Sequence, residues 1–196
     1  MTSPFKPRPV VVALAGPNGA GKTTFHGAHL APVGLRFVNA DALARELRLP
    51  PYEAAEVASR VREALLAQGE GFVFETVFSD PVGDKLAFLQ RARDAGYTVV
   101  LCFIGLASAA LSDERVAMRV VQGGHDVPPE KVVARFQRSL ENLRRAIRAL
   151  PHVLVYDNSD LGHPFWKVAE FENGRPVALA SPLPSWVPWK ASRRKR

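Results

Sequence analysis

Short apolar runs alternate with longer stretches of helical periodicity along most of the chain. The runs are four to eight residues long and do not alternate strictly with polar residues, which is typical of parallel strands covered on both faces. They lie at Val10–Ala15, Leu35–Val38, Gly71–Phe74, Tyr97–Ile104 and Val153–Tyr156. Because helix-periodic stretches separate these runs, the pattern predicts a doubly wound α/β domain with a mainly parallel sheet of five strands.

The stretches between the runs carry the signals of crossover helices. Pro51–Gln68 places its apolar residues on one helical face, and Pro81–Ala95 carries basic residues near its end, with a glycine after each. A longer helical pair is predicted at Ser108–Val121 and Pro128–Leu150, divided by a glycine-containing break. Ligands of such sheets bind beyond the carboxyl ends of the strands, so polar residues that follow strands are the candidate site residues.

The C-terminal part of the chain has a different pattern. Two short runs, Phe165–Phe171 and Arg175–Ala180, flank Asn173-Gly174, a strong hairpin signal. We predict a small antiparallel β-hairpin at about residues 165–181, appended to a single domain that covers residues 1–189. The single cysteine, Cys102, lies in an apolar run and is expected to be a buried strand residue.

The net charge of +7 raises the question of a nucleic-acid partner. Five of the 26 basic residues lie in the last seven positions, which leaves 21 basic against 19 acidic residues before them. We therefore predict that residues 190–196 form a disordered basic tail and that nucleic acid is not the partner. No apolar run is long enough to span a membrane and the start lacks a signal-peptide core, so a cytoplasmic protein is expected.

A phosphate-binding motif follows the first apolar run. Residues 16–23 read GPNGAGKT, a full match to the P-loop pattern, in which glycines and a helix N-terminus present backbone N–H groups to phosphate. The motif predicts ATP binding, with Lys22 on the β- and γ-phosphates and Thr23 on Mg²⁺. The predicted nucleotide-binding residues are Gly16, Asn18, Gly19, Ala20, Gly21, Lys22, Thr23, Thr24 and Asn158.

Carboxylates follow two of the predicted strands. Asp41, after the second strand, is a candidate general base for an attacking hydroxyl. The alternative is that Asp41 caps the next helix. This alternative stays open, although Asn39 could cap the helix equally well. Glu75 and Thr76, after the third strand, are candidates for binding substrate hydroxyls or organising the water around Mg²⁺. A structural ion pair between Glu75 and an arginine is the competing interpretation.

Arginines are concentrated around the glycine-containing break at residues 122–128. A kinase has to neutralise charge on the phosphoryl group in transfer, and guanidinium groups do this well. We predict that the segment from Arg115 to Arg138 is a hinged lid over ATP, with Arg119 as a catalytic residue; the alternative is that each arginine is an ordinary solvated helix residue. His26 and His29 have no acidic third ligand nearby, so no metal site is predicted there.

Several segments together resemble the zeta toxin family of P-loop small-molecule kinases, in particular its short bacterial branch. These are the P-loop, Val38–Asp41, the sequence FETVFS at residues 74–79, GGHDVP at residues 123–128, and SLENL at residues 139–143, with Val155–Ser159 at the end. They cover roughly residues 10–160. The P-loop alone does not distinguish between families of nucleotide-binding proteins. Its succession with FETVFS and GGHDVP is much more diagnostic of this family.

The resemblance implies ATP and Mg²⁺, transfer of phosphate to a sugar hydroxyl of a nucleotide sugar such as UDP-N-acetylglucosamine, Asp41 as base, and an antitoxin partner. It also implies that an arginine from the Arg115–Arg119 region contacts the phosphates. The predicted substrate-binding residues are Asp41, Glu75, Thr76, Arg115 and Arg135. The family's second phosphate-contacting arginine is missing near His125, so Arg135 or Arg138 replaces it or the substrate differs. Two alternatives remain open: a nucleic-acid or nucleotide kinase, and an ATP-binding regulatory module without turnover.

Overall fold

The computed structural model describes residues 4–5, 9–121 and 128–189, and within them seven strands and six α-helices are formed. The strands are β1 (Val10–Ala15), β2 (Arg36–Val38), β3 (Phe72–Thr76), β4 (Thr98–Gly105), β5 (His152–Asp157), β6 (Trp166–Glu172) and β7 (Arg175–Leu179). The helices are α1 (Lys22–Phe25), α2 (Ala40–Leu47), α3 (Pro51–Ala67), α4 (Asp84–Asp94), α5 (Ala109–Val121) and α6 (Pro129–Ala149). A π-helical turn, His26–Leu30, continues α1.

The strands form one sheet in the order β2-β3-β1-β4-β5-β6-β7. The first five in this order run parallel, which confirms the predicted doubly wound fold and its five parallel strands. The predicted hairpin is also present, with Asn173 and Gly174 in the left-handed conformation at its turn. It is not a separate appendage, because β6 pairs antiparallel with β5 and continues the main sheet.

Hydrophobic side chains cover both faces of the sheet. All six residues of β1 are fully buried, and their side chains belong alternately to two core clusters. One cluster contains buried residues of α3, α4 and α6, and the other contains Phe25 and Leu30 from the segment after the P-loop. Burial on both faces explains why the strand sequences do not alternate between apolar and polar residues.

The strand register brings the predicted site residues to one edge of the sheet. Leu14 pairs with Glu75 and Ala15 with Thr76, so β3 ends beside the start of the P-loop. Val38 pairs with Phe74, which places the segment after β2 next to Glu75. Polar residues from three distant parts of the sequence therefore meet at the carboxyl ends of β1, β2 and β3.

Two predictions lie outside the described residues. These are the glycine-containing break, residues 122–127, at the centre of the proposed lid, and the basic tail, residues 190–196. Among the described residues, no helix has the length and apolar character needed to cross a bilayer.

Candidate active site

The loop between β1 and α1 has the backbone conformation of a phosphate-binding loop. Gly16, Gly19 and Gly21 all have positive φ angles, of 145°, 72° and 81°. A Cβ atom at Gly16 would lie 2.1 Å from the carbonyl oxygen of Ile104, so only glycine fits this close approach to β4. The geometry agrees with the nucleotide-binding role predicted for these residues, and it leaves a concave loop with no side chains at its tight positions.

Two buried side chains hold the P-loop from outside. The Ser112 hydroxyl on α5 donates a hydrogen bond of 2.6 Å to the Asn18 carbonyl oxygen. Asn158, after β5, donates from Nδ2 to the Ala20 carbonyl oxygen at 3.0 Å and accepts from the Phe165 backbone N–H at 3.3 Å. Because both ends of the Asn158 amide bond to protein, the structure supports a positioning role for Asn158, where direct nucleotide contact was predicted. Ser112 was missed in the sequence.

Lys22 is the buried cation of the loop, with only 7% of its surface exposed. Its Nζ donates to the Pro17 carbonyl oxygen at 3.1 Å and lies 3.8 Å from Oε1 of Glu75. Burial lowers the pKa of Lys22, the carboxylates of Glu75 and Asp41 oppose this shift, and the Arg119 guanidinium adds to it. Lys22 is therefore electrostatically coupled to both other residues predicted to be catalytic, Asp41 and Arg119.

Glu75 joins three elements at the mouth of the P-loop. Its Oε2 accepts hydrogen bonds from the Thr23 hydroxyl at 2.9 Å and from Asn39 Nδ2 at 2.8 Å. The partner of Glu75 is thus Lys22 together with two neutral groups, and the expected alternative of an ion pair with an arginine is wrong. A hydroxyl and a carboxylate oxygen side by side are the ligand types that Mg²⁺ prefers, so Thr23 and Glu75 fit this ion.

Asp41 lies in a cleft of about 240 Å³ on one side of the P-loop. Asn39 caps α2, since its Oδ1 accepts from the Ala42 backbone N–H at 2.9 Å, and the alternative that Asp41 is the cap is wrong. Asp41 is exposed and its carboxylate makes no hydrogen bond to other described residues. Lys22, Glu75 and Thr76 line the same cleft, as do two basic residues that sequence analysis missed, Arg62 and Lys85.

The segment after Thr76 is held in an unusual conformation. Phe78 has a φ of 59°, which is rare for a bulky residue, and it is fully buried. The Thr76 hydroxyl oxygen accepts from the Phe78 backbone N–H at 3.0 Å, so its side chain organises this turn. Thr76 also lines the cleft that contains Asp41, so its predicted binding of substrate stays a prediction.

Helix α6 fixes the same segment through three polar side chains. Arg138 Nε donates to the Ser79 carbonyl oxygen at 2.9 Å, and the Ser139 hydroxyl donates to that of Val77 at 2.6 Å. Asn142 Nδ2 donates to the carbonyl oxygens of Phe78 and Asp80, both at 3.0 Å. Two residues of the SLENL motif, Ser139 and Asn142, therefore hold the segment that follows Thr76, and Val77 of this segment lines the cleft that contains Asp41. Nε of Arg138 is bound to this backbone segment, and a phosphate contact by Arg138 stays a prediction.

A second cleft, of about 370 Å³, lies on the other side of the P-loop. Gly19, Gly21 and Thr24 line it together with Arg115 and Arg119 from α5. Arg115 donates to the carbonyl oxygens of Asn158 at 2.7 Å and Ser159 at 3.1 Å. Arg115 therefore lies on the opposite side from Asp41, where it braces the loop after β5, and this placement does not support its predicted binding of the acceptor.

Arg135 stays apart from both clefts. It is half-buried on α6 and is not among the described residues that line either of them. The first cleft brings together Lys22, Asp41, Glu75 and Thr76, with Thr23 bonded to Glu75, and the second brings together Thr24, Arg115, Arg119 and Asn158. Within the described part of the chain, no three His, Cys, Asp or Glu side chains form a group that could hold a metal ion.

A family model described as an AAA domain, AAA_33, matches residues 11–143 of the chain. A search among curated proteins found no match to this chain. Among solved structures, the chain is similar to AvrRxo1-ORF1 in its complex with ORF2 and ATP, with a TM-score of 0.70 at 19% identity over 90% of this chain. The chain spans 62% of that longer protein.

Two further structures are similar. One is from the PezAT chromosomal toxin–antitoxin system of Streptococcus pneumoniae, with a TM-score of 0.65 at 18% identity, covering 97% of this chain and 82% of the other. The other is a putative kinase from Chloroflexus aurantiacus, with a TM-score of 0.50 at 20% identity, covering 65% and 76%. These likenesses show the P-loop kinase fold, which is the fold that the resemblance to the zeta toxin family implies.

Proposed function

Because the chain belongs to the AAA_33 family of AAA domains, we propose that its P-loop binds ATP and that it transfers the γ-phosphate to a hydroxyl group of a small molecule. The finer proposal is a kinase of the zeta toxin type, with a nucleotide sugar such as UDP-N-acetylglucosamine as the acceptor. One observation carries it: residues of the P-loop line two clefts, Lys22 together with Asp41 in one and Gly19 and Gly21 together with Arg119 in the other. This arrangement supports an acceptor site in the first cleft and an ATP site in the second.

In the proposed reaction, the acceptor hydroxyl lies beside Asp41. Its oxygen attacks the γ-phosphorus, the bond from this phosphorus to the β-γ bridging oxygen breaks, ADP leaves, and Asp41 takes the hydroxyl proton. The free, exposed carboxylate of Asp41 supports this role, because no described residue competes for its oxygens. Lys22 and Arg119 provide positive charge for the phosphoryl oxygens on both sides of the P-loop.

Thr23 and Glu75 are the residues that would hold Mg²⁺. When bound, the ion neutralises negative charge on the β- and γ-phosphates. Glu75 also contacts Lys22 through Oε1 and Asn39 through Oε2. It therefore orients both the lysine proposed to bind phosphate and the segment that carries Asp41.

A protein partner is part of the proposal. Two of the similar structures are AvrRxo1-ORF1 in its complex with ORF2 and a structure from the PezAT toxin–antitoxin system. By this likeness we propose that the chain has an antitoxin. Its proposed substrates, ATP and a nucleotide sugar, place the activity in the cytoplasm.

Acceptor-dependent formation of ADP tests the proposed function. We expect UDP-N-acetylglucosamine to stimulate ADP formation in the wild type and Lys22→Ala to abolish it. Asp41→Asn should lower kcat by about 10²- to 10⁴-fold, the range for loss of a general base, with little change in the KM for ATP. Glu46→Gln, on the exposed side of the same helix, is the matched control and should behave as wild type.

Different acceptors separate the competing activities. Stimulation by a 5′-hydroxyl oligonucleotide in place of the nucleotide sugar would identify a nucleic-acid kinase. ATP binding without stimulation by any acceptor would indicate a regulatory module. Wild-type turnover by Lys22→Ala would end the kinase proposal altogether.

A further inference from the structure

A buried arginine lines the cleft that contains Asp41. Arg62 lies on α3 with only 6% of its surface exposed, on the same helical face as the buried residues Ala54, Ala58 and Leu65. Its guanidinium carbon is 5.0 Å from the centre of the Phe74 ring and 5.6 Å from that of the Phe88 ring. The two rings contact the guanidinium through its face, and an aromatic ring provides no acceptor for the N–H groups at its edge.

Few of the Arg62 donors have partners. A guanidinium carries five N–H groups, and the bond in the described structure is from Nη2 to the Ser59 hydroxyl oxygen at 3.1 Å. Nε is buried and has no partner among the described residues. The neighbouring carboxylate, Glu63, bonds instead to Arg91. Burial lowers the pKa of Arg62, and the nearby carboxylate of Glu63 opposes this shift.

A second cation lines the same cleft. Lys85, near the start of α4, is half-buried and makes no ion pair with another described residue. The acidic residues of the cleft do not neutralise this pair: both oxygens of Glu75 already face Lys22, Thr23 or Asn39, and no ion pair joins Asp41 to Arg62 or Lys85 among the described residues. The cleft therefore contains positive charge beyond what the P-loop needs.

We propose that Arg62 and Lys85 bind an oxyanion, a phosphate or a carboxylate, that the acceptor alcohol carries in addition to its reacting hydroxyl. This rests on the proposed kinase function and assigns to two residues of the chain the binding of an anionic group on the acceptor. The bound oxyanion anchors the acceptor at one end, so that the hydroxyl at the other end is held beside Asp41. An uncharged alcohol leaves the buried guanidinium unpaired and is therefore rejected.

Kinetics with matched acceptors test the proposal. Glucose, glucose 1-phosphate and glucuronate share a ring and differ in charge, and UDP-N-acetylglucosamine adds a diphosphate. We expect kcat/KM for at least one anionic acceptor to exceed that for its neutral counterpart by about tenfold or more, since charge-assisted hydrogen bonds are worth this much. If glucose 1-phosphate has the higher kcat/KM, the oxyanion is a phosphate, and if glucuronate has the higher kcat/KM, it is a carboxylate.

Substitutions then locate the effect. Arg62→Gln should raise the KM for the anionic acceptor by about 10- to 100-fold while leaving the KM for ATP unchanged, and Lys85→Gln should act in the same direction but less strongly. Arg60→Gln, which removes an exposed arginine two positions away on α3, is the control and should change neither KM. Equal use of neutral and anionic acceptors, or an undiminished preference in both variants, overturns the proposal.

A binding measurement separates this proposal from the proposed function. With the P-loop filled by a non-hydrolysable ATP analogue and Mg²⁺, inorganic phosphate or acetate should shift the Arg62 Nε–Hε signal in an NMR titration, and Arg60→Gln should retain the shift. If the signal responds but no acceptor is phosphorylated, the oxyanion site stands and the kinase proposal fails. If phosphate transfer occurs but neither anion moves the signal, the kinase proposal stands and the oxyanion site fails.

Discussion

Replacement of Asn142 by leucine tests how α6 supports the acceptor side of the site. Asn142 is 4% exposed, and its Nδ2 donates to the carbonyl oxygens of Phe78 and Asp80, both at 3.0 Å. Leucine has a similar volume, so the variant loses two hydrogen bonds without opening a cavity. At about 0.5–1.5 kcal/mol for each bond, we expect a loss of about 1–3 kcal/mol in the free energy of unfolding.

The loss should be visible in thermal unfolding and in kinetics. For a domain of this size, about 1 kcal/mol lowers Tm by about 2–4 °C, so calorimetry should show a drop of about 2–12 °C. Without Asn142, one restraint on the left-handed conformation of Phe78 is gone, and the KM for the acceptor should rise more than the KM for ATP. Glu141→Leu, at the exposed neighbouring position, is the control. An unchanged Tm and unchanged acceptor kinetics for Asn142→Leu would refute the reasoning.

Two more substitutions probe the P-loop and the helix that follows it. Gly16→Ala should destabilise the fold and prevent ATP binding, because its Cβ would lie 2.1 Å from the Ile104 carbonyl oxygen. Gly27→Ala is the control, since a Cβ at Gly27 has open space around it, and this variant should keep the Tm and the ATP affinity of the wild type in melting and nucleotide-binding assays. Burial lowers the pKa of His26, so the folded state takes up its proton less readily than the unfolded chain, and stability should fall as the pH drops below about 6.5. His26→Phe keeps the stacking on Phe37, at 3.7 Å between ring centres, and should reduce the fall of Tm between pH 7 and 5.5; an identical fall in both proteins would show that His26 is not responsible.

The fold was readable from the sequence because its signals are local. Apolar runs of strand length, the glycines of the P-loop and the Asn-Gly turn each specify a backbone conformation within a few residues. The four predicted helices form with bounds within three residues of those expected. The sequence did not show that the hairpin joins β5, because strand pairing at a sheet edge is not encoded in either partner alone.

The supporting contacts of the site could not be predicted in the same way. Ser112, Arg138 and Asn142 bond to backbone carbonyl groups that lie far away in sequence, and only the tertiary structure selects these partners. Arg115 and Arg119 are four residues apart on one helical face, so the spacing did not tell which of them braces a loop. Arg62 did leave a signal: it follows Ala58 by four residues and Ala54 by eight, which is the buried face of α3.

The residues that hold the P-loop are distant from it in sequence, and this determines when the ATP site can form during synthesis of the chain. The motif ends at Thr23, but the contacts that hold it come from Ser112, 94 positions after Asn18, and from Asn158, 138 positions after Ala20. A nascent chain therefore carries the glycines long before it has the residues that fix their conformation. We expect high-affinity ATP binding to arise only after β5 and the loop to Phe165 have left the ribosome, so that unfinished copies of the chain stay inactive.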